Sequence, residues 1–155
     1  MMTLDSLVYP ASVRANVAID SKKALFAYFG DLASRTLGLD AGQVAEALLE
    51  RERLGSTGFG RGIALPHAKL DGLGGVRGLF VQLQRPIDFA AVDGLPVDLF
   101  FVLLSPLDAG ADHLKALASA SRMLRNEAAA DRLRGVKSDE ALYALLADCE
   151  ARDAA

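Results

Sequence analysis

The apolar positions change period twice along the chain, and the predicted elements change with them. VRANVAI (13–19) is rich in β-branched residues and predicts a strand. Beyond it, Leu25, Tyr28, Phe29, Leu32 and Ala33 recur at spacings of three and four, one face of a helix that Asp20 or Ser21 would cap and Gly38 would end. Asp40, followed three positions later by Gln43, has the form of a capping box, and Val44, Ala45, Leu48 and Leu49 form the stripe of a second helix reaching about Leu54. The middle of the chain is different. GIALPHA (62–68), GLFVQLQ (78–84) and VDLFFVLLS (97–105) are nearly continuous apolar runs, bounded by the turn signals Asp71-Gly72, Gly74-Gly75, Arg85-Pro86 and Asp93-Gly94. Such runs predict strands buried on both faces. Helical spacing returns with Leu114, Leu117, Ala118, Ser121 and Leu124, from Asp112 to about Asn126, and again with Ala141, Leu142, Leu145 and Leu146 behind an N-cap at Ser138.

Strands in the middle with helices on both sides predict an α/β fold in which a mixed β-sheet is sandwiched between α-helices, mixed because some connections are hairpin-short. The 155 residues suit a single domain over 1–155 with its core from about 10 to 150, and no repeat or linker divides them. A net charge of −3 gives no basic footprint, so nucleic acid is not an expected partner. No run is long and apolar enough for membrane insertion, and the first residues lack the basic and apolar regions of a signal peptide, so a cytoplasmic protein is expected. The single cysteine, Cys149, fits a reducing compartment and a structural thiol.

Candidate chemistry begins at GSTGFGRGIALPHAKL (55–70), which places one of the chain's two histidines behind a glycine-rich stretch and a proline. The glycines match no nucleotide motif. Gly55 and Gly60 are followed by Arg61-Gly62 instead of the Lys-Ser/Thr of a P-loop, and Ile63 stands where a dinucleotide fingerprint needs its third glycine. Two readings stay open for them: a hairpin entering a strand, or a loop open to a ligand. Pro66 holds Leu65 extended, so His67 is expected to emerge where the sheet stops and side chains face a cleft. His113 falls in the first turn of a helix, where an imidazole tends to stay neutral and anions are favoured, and Arg51 falls in the last turn of the helix before the glycines, with a fork matched to phosphoryl oxygens. With Pro66 and the main chain behind the ring, Nδ1 of His67 is expected to donate to a backbone carbonyl and Nε2 to face the cleft. No cofactor is called for, and no metal either, because two histidines 46 positions apart without ordered carboxylates make no ligand set.

RERLGSTGFGRGIALPHAKL closely resembles the active-site motif of enzyme IIA proteins of the mannitol/fructose class in the phosphoenolpyruvate-dependent phosphotransferase system. LFVQLQRPIDFAAVDGLPVDLFFVLLSP, the DHLKAL segment and RLRGVKSDEALYALL are similar to the nitrogen-regulatory branch, so the likeness runs from about 10 to 150. The resemblance implies that His67 accepts a phosphoryl group at Nε2 from a histidine-containing phosphocarrier protein of the nitrogen type. It also implies that His113 hydrogen-bonds that group and Arg51 stabilises its charge. Ser56, Thr57, Gly58, Phe59, Gly60 and Gly62 are expected to contact the phosphoryl group or the donor through the loop, with backbone amides completing a cradle. Phe59 and Arg61 occupy variable places in this motif, and Ala68 stands where a glycine is common. The implied role is a carrier that regulates proteins such as potassium-transport or sensor-kinase components according to its phosphorylation state. Two alternatives remain at this stage: a sugar-specific IIA passing phosphate to a fructose or mannitol IIB component, and an interaction module never phosphorylated.

Overall fold

The computed structural model describes residues 6–154, with side chains described as far as Asp148; Cys149 and the expected structural role of its thiol lie outside that range. A short 3-10 turn (Pro10–Ser12) leads into β1 (Val13–Val17). Helix α1 (Lys22–Leu37) starts where the Ser21 side chain accepts from the Ala24 amide, and it ends at Gly38, whose φ of 70° costs a glycine little. Helix α2 (Ala41–Arg53) is capped by Asp40, which accepts from the Gln43 amide. There follow β2 (Gly58–Gly60), β3 (Ile63–Ala64), β4 (His67–Leu70), β5 (Arg77–Ile87), β6 (Val97–Pro106), α3 (Ala111–Leu124), α4 (Glu127–Arg134) and α5 (Asp139–Ala154).

The sheet runs β1-β5-β6-β3-β2, and β4 also pairs with β6, continuing the edge that β3 begins. β5 and β6 are antiparallel; β1 on β5 and both β3 and β4 on β6 are parallel, so the sheet is mixed as expected. Strand alternation builds two cores from one sequence. Phe100, Val102 and Leu104 join Phe26, Phe29, Val44 and Leu48 beneath α1 and α2, whereas Leu99, Phe101 and Leu103 join Ala116, Ala120, Leu133 and Leu142 beneath α3–α5. This two-sided burial is why the middle strands read as unbroken apolar runs.

Three expectations need correction. GIALPHA is two strands, because Pro66 has no amide to give the ladder; the register against β6 is the same on both sides of the gap, so His67 opens β4 instead of standing where the sheet stops. Arg85-Pro86 is no turn. It lies within β5, where the register shifts between Gln82 and Ile87 and β1, which pairs only as far as Leu83, leaves that edge free of the need for a proline amide. Helix α4 was not anticipated, since EAAADRLR buries only Ala129, Ala130 and Leu133 and has too short a stripe to register; its Asn126 cap accepts from the Ala129 amide.

Phe100 stands at the centre of the α1–α2 core, with its ring against Phe29 and Phe89 at centroid distances of 5.8 and 5.2 Å and no solvent exposure. Phe100→Ala is expected to lower the free energy of unfolding by about 3–5 kcal/mol, read by urea denaturation, with the sheet-face cavity as the cause.

Candidate functional site

The gap in the ladder at Leu65-Pro66 lies directly before the site. Ala64 and Ala68 pack into the α1–α2 core and Ile63 and Leu65 into the other, so alternation assigns His67 to the face that carries α3. Its Nδ1 lies 2.8 Å from the Leu65 carbonyl oxygen. A carbonyl can only accept, so Nδ1 carries the proton and, in the neutral ring, Nε2 keeps its lone pair. From the last turn of α2, Arg51 donates through Nε to that lone pair at 3.2 Å and through Nη1 to the Gly55 carbonyl at 2.9 Å.

His113 reaches the same place from the far side. The chain leaves β6 at Pro106 and starts α3 five residues later, which puts His113 in the first turn with its ring centroid 5.6 Å from that of His67. Its Nδ1 is 2.6 Å from Oγ of Ser105, itself fully buried. The three side chains line an open cleft together with Ala47, Leu54, Ala68 and Lys69. Burial, above all, holds both imidazoles below the ordinary histidine pKa. Against His67 the Leu65 bond and Glu52 pull upward while Arg51 adds to the depression; for His113 the neighbouring His67 and Lys69 add to it. Both rings are neutral near pH 7, one of them with a bare nitrogen beside a guanidinium.

The glycine stretch proves to be the hairpin of its two readings: β2 pairs antiparallel with β3 through a turn in which Arg61 and Gly62 have positive φ. Three of its amides are already bonded and are not free for the expected cradle. Thr57 N donates to Glu52, Gly58 N to Ser56 Oγ and Arg61 N to Asp93. Gly58 is required by close packing, since a Cβ there would come within 2.8 Å of Ala91 Cβ. Gly60 pairs with Ile63 and the Gly62 carbonyl accepts from the Asp98 and Leu99 amides, at the end of the sheet away from the His67–Leu103 pairing, and Phe59 packs on the α3–α5 core with the Arg125 guanidinium 4.7 Å from its ring. The structure therefore brings together His67, Arg51 and His113. It leaves Phe59, Gly60 and Gly62 elsewhere and gives Ser56 and Thr57 structural bonds beside the site.

Two residues of the neighbourhood were not read from the sequence: Ser105 and Glu52. Glu52 looked like any solvated charge at a helix end, yet it is 8% exposed and accepts from Thr57 Oγ1 at 2.7 Å, from the Thr57 amide at 3.1 Å and from Lys22 Nζ at 2.9 Å. Desolvation alone would raise its pKa; the bonds from Thr57, Lys22 and Ser56 outweigh it and hold the carboxylate ionised. The clamp fixes residues 54–57 on the end of α2, so that the Gly55 carbonyl stands where Arg51 meets it. Among the described residues no group of three His, Cys, Asp or Glu side chains is placed to hold a metal ion, and no helix is long and apolar enough to cross a membrane.

A mixed sheet between helix layers, with a bare imidazole nitrogen set between an arginine and a second imidazole, is the framework of a phosphotransferase-system IIA protein. The chain belongs to that family: the model described as "Phosphoenolpyruvate-dependent sugar phosphotransferase system, EIIA 2" matches residues 6–149. It is 44% identical over 146 residues to a nitrogen regulatory protein of Bradyrhizobium diazoefficiens, covering 94% of this chain and 95% of that one. To the nitrogen regulatory protein of Escherichia coli K12 it is 43% identical over 151 residues, covering 96% and 92%. The crystal structure of nitrogen regulatory protein IIA-Ntr from Neisseria meningitidis matches the fold with a TM-score of 0.85 at 34% identity, over 92% of this chain and 97% of that one.

Glu52→Ala would leave the two Thr57 donors without their acceptor and Lys22 Nζ with only the Phe89 carbonyl and ring, and is expected to cost about 2–4 kcal/mol in urea denaturation, less than a fully buried pair because the Lys22 side chain is 30% exposed. The histidines predict a pH dependence whose sign follows from linkage. Both bind a proton more weakly folded than unfolded, so stability should hold above the ordinary value of 6.5 and fall as pH drops below it, before Glu52 begins to titrate near or below 4.5. Denaturation midpoints measured from about pH 8 to pH 5 should show this loss, and His67→Gln should flatten it.

Proposed function

We propose that this protein is a phosphoryl carrier of the nitrogen-regulatory type, which takes a phosphoryl group onto His67 Nε2 from a histidine-containing phosphocarrier protein in the cytoplasm and regulates partner proteins according to its phosphorylation state. The observation that carries the reading is the 2.8 Å contact of His67 Nδ1 with the Leu65 carbonyl, which leaves the Nε2 lone pair as the nucleophile of the cleft.

In the transfer the Nε2 lone pair attacks phosphorus in line with the donor's P–N bond; the new N–P bond forms as the old one breaks, and its electron pair returns to the donor imidazole. No proton has to leave His67. The ring gains positive character as Nε2 bonds to phosphorus, and the Leu65 carbonyl, accepting from Nδ1–H, stabilises that charge. Arg51 gives up its bond to Nε2 as the phosphoryl group arrives, and the same N–H turns to the phosphoryl oxygens. His113 offers a hydrogen bond from the opposite wall. Neutral imidazoles suit this work, since a protonated Nε2 would have no lone pair to attack with.

Incubation with phosphoenolpyruvate, enzyme I and the phosphocarrier should add a single phosphoryl group by intact mass, labile in acid and stable in alkali, with phosphohistidine NMR couplings that place it on Nε2. His67→Ala should take up none; stoichiometric labelling of that variant, or couplings to Nδ1, would sink the proposal. Arg51→Ala and His113→Ala should fold and slow the transfer by roughly ten- to a thousandfold. Efficient onward transfer to a fructose or mannitol IIB protein would redirect the reading to a sugar-dedicated carrier.

A further inference from the structure

We propose that Ser105 is a positioning residue of the phosphoryl site: its hydroxyl donates to His113 Nδ1 and so fixes the tautomer whose Nε2–H faces His67 across the cleft. The inference deepens the reading of His67 as phosphoryl acceptor and rests on it.

Ser105 has no solvent exposure, and among the described residues its 2.6 Å contact with His113 Nδ1 is the only hydrogen bond its Oγ makes. Two arrangements satisfy the distance. If Nδ1–H donates to Oγ, the serine proton is left in the interior without an acceptor, at the full cost of an unmade hydrogen bond, about 1–3 kcal/mol. If Oγ–H donates to Nδ1, both groups are satisfied and the neutral ring must carry its proton on Nε2. A charged ring would need Nδ1–H and so would again orphan the serine proton. The serine thus acts against protonation in the same direction as burial.

The consequence for the cleft is specific. Nδ1 and Nε2 flank Cε1 and point away from one another, so with Nδ1 held at Ser105 in the sheet, Nε2 is the nitrogen turned toward the opening that His113 lines. In the tautomer that Ser105 selects, His113 presents an N–H donor to phosphoryl oxygens; in the other it would present a lone pair, which repels them. Ser105 is also a rigid post. Lys69 lies opposite it in the β4–β6 ladder, and His67 lies opposite Leu103 in the same ladder, so acceptor and post share one backbone register. The two histidines are therefore set oppositely: a carbonyl leaves His67 with a bare Nε2, and a hydroxyl leaves His113 with a protonated one.

Two-bond 1H–15N NMR correlations on the 15N-histidine-labelled, unphosphorylated full chain read both tautomers directly. The expected spectrum has His113 protonated on Nε2 and His67 on Nδ1. In Ser105→Ala the His113 nitrogens should move toward the averaged values of mixed tautomers, and phosphorylation by the phosphocarrier should slow by about ten- to a hundredfold. Ser105→Thr, which keeps the hydroxyl, should restore both. The proposal is overturned by a wild-type His113 protonated on Nδ1, by Ser105→Ala with an unchanged tautomer whatever its rate, or by Ser105→Thr that recovers neither. If Ser105→Ala does not fold, the wild-type and Ser105→Thr spectra still decide. The expected tautomers in a protein that never takes up phosphate would instead overturn the carrier reading, and the two failures are distinguishable because the tautomer is read without phosphate.

Discussion

The hydrogen bond from His67 Nδ1–H to the Leu65 carbonyl is the constraint on which the site depends. It is a local bond, two residues back along the chain, that spans Pro66. Proline removes an amide from the ladder where β3 gives way to β4, while its own carbonyl still accepts from the Leu103 amide; the neighbouring Leu65 donates its amide to Thr57 and gives its carbonyl to the ring. Which nitrogen of His67 keeps its lone pair is thus set by a backbone carbonyl, before any other side chain acts.

Around that fixed ring, charge is brought in from a helix end and held by a buried carboxylate. Arg51 reaches His67 only because the segment after α2 folds back so that the Gly55 carbonyl meets its Nη1. Glu52 holds that segment through three bonds to Thr57 while Lys22 balances its charge from α1. Lys22 also donates to the Phe89 carbonyl and lies over the Phe89 ring, which ties the clamp to the core beneath it. An arginine at a helix terminus is ordinarily a loose surface group; here its position is set by the same aromatic core that supports the sheet.

Much of this was legible in the sequence because it is local. Caps at Ser21, Asp40 and Ser138 and the stop at Gly38 are short-range signals, and each has its hydrogen bond or its φ in the structure. The two-sided strands were legible because both faces are covered. His67, Arg51 and His113 stood out because each is placed by an element end, and ends leave marks. Long-range partners leave none. Nothing near Glu52 announces that Thr57 and Lys22 will surround it, and nothing near Ser105 announces that a ring eight residues later will return to its hydroxyl. The glycines misled for a related reason: a stretch that admits a ligand and a hairpin with several of its amides already bonded share a composition, and only the partners Glu52, Asp93 and Ala91, brought from elsewhere, separate them.

The pairing of a carbonyl-held and a hydroxyl-held imidazole also bears on how such a site handles charge without a metal. A phosphoryl group between two nitrogen bases needs a nucleophile on one side and donors on the others, and two identical imidazoles free to exchange tautomers would supply each role only part of the time. Holding both rings below the ordinary histidine pKa prevents double protonation, and fixing opposite tautomers prevents both nitrogens from presenting lone pairs. Arg51 then supplies the one permanent positive charge among the three groups that meet there. It rests on the Nε2 lone pair of His67 itself, so that nitrogen has a donor without being protonated; in the transfer proposed above, a phosphoryl group would take the place of that single hydrogen bond.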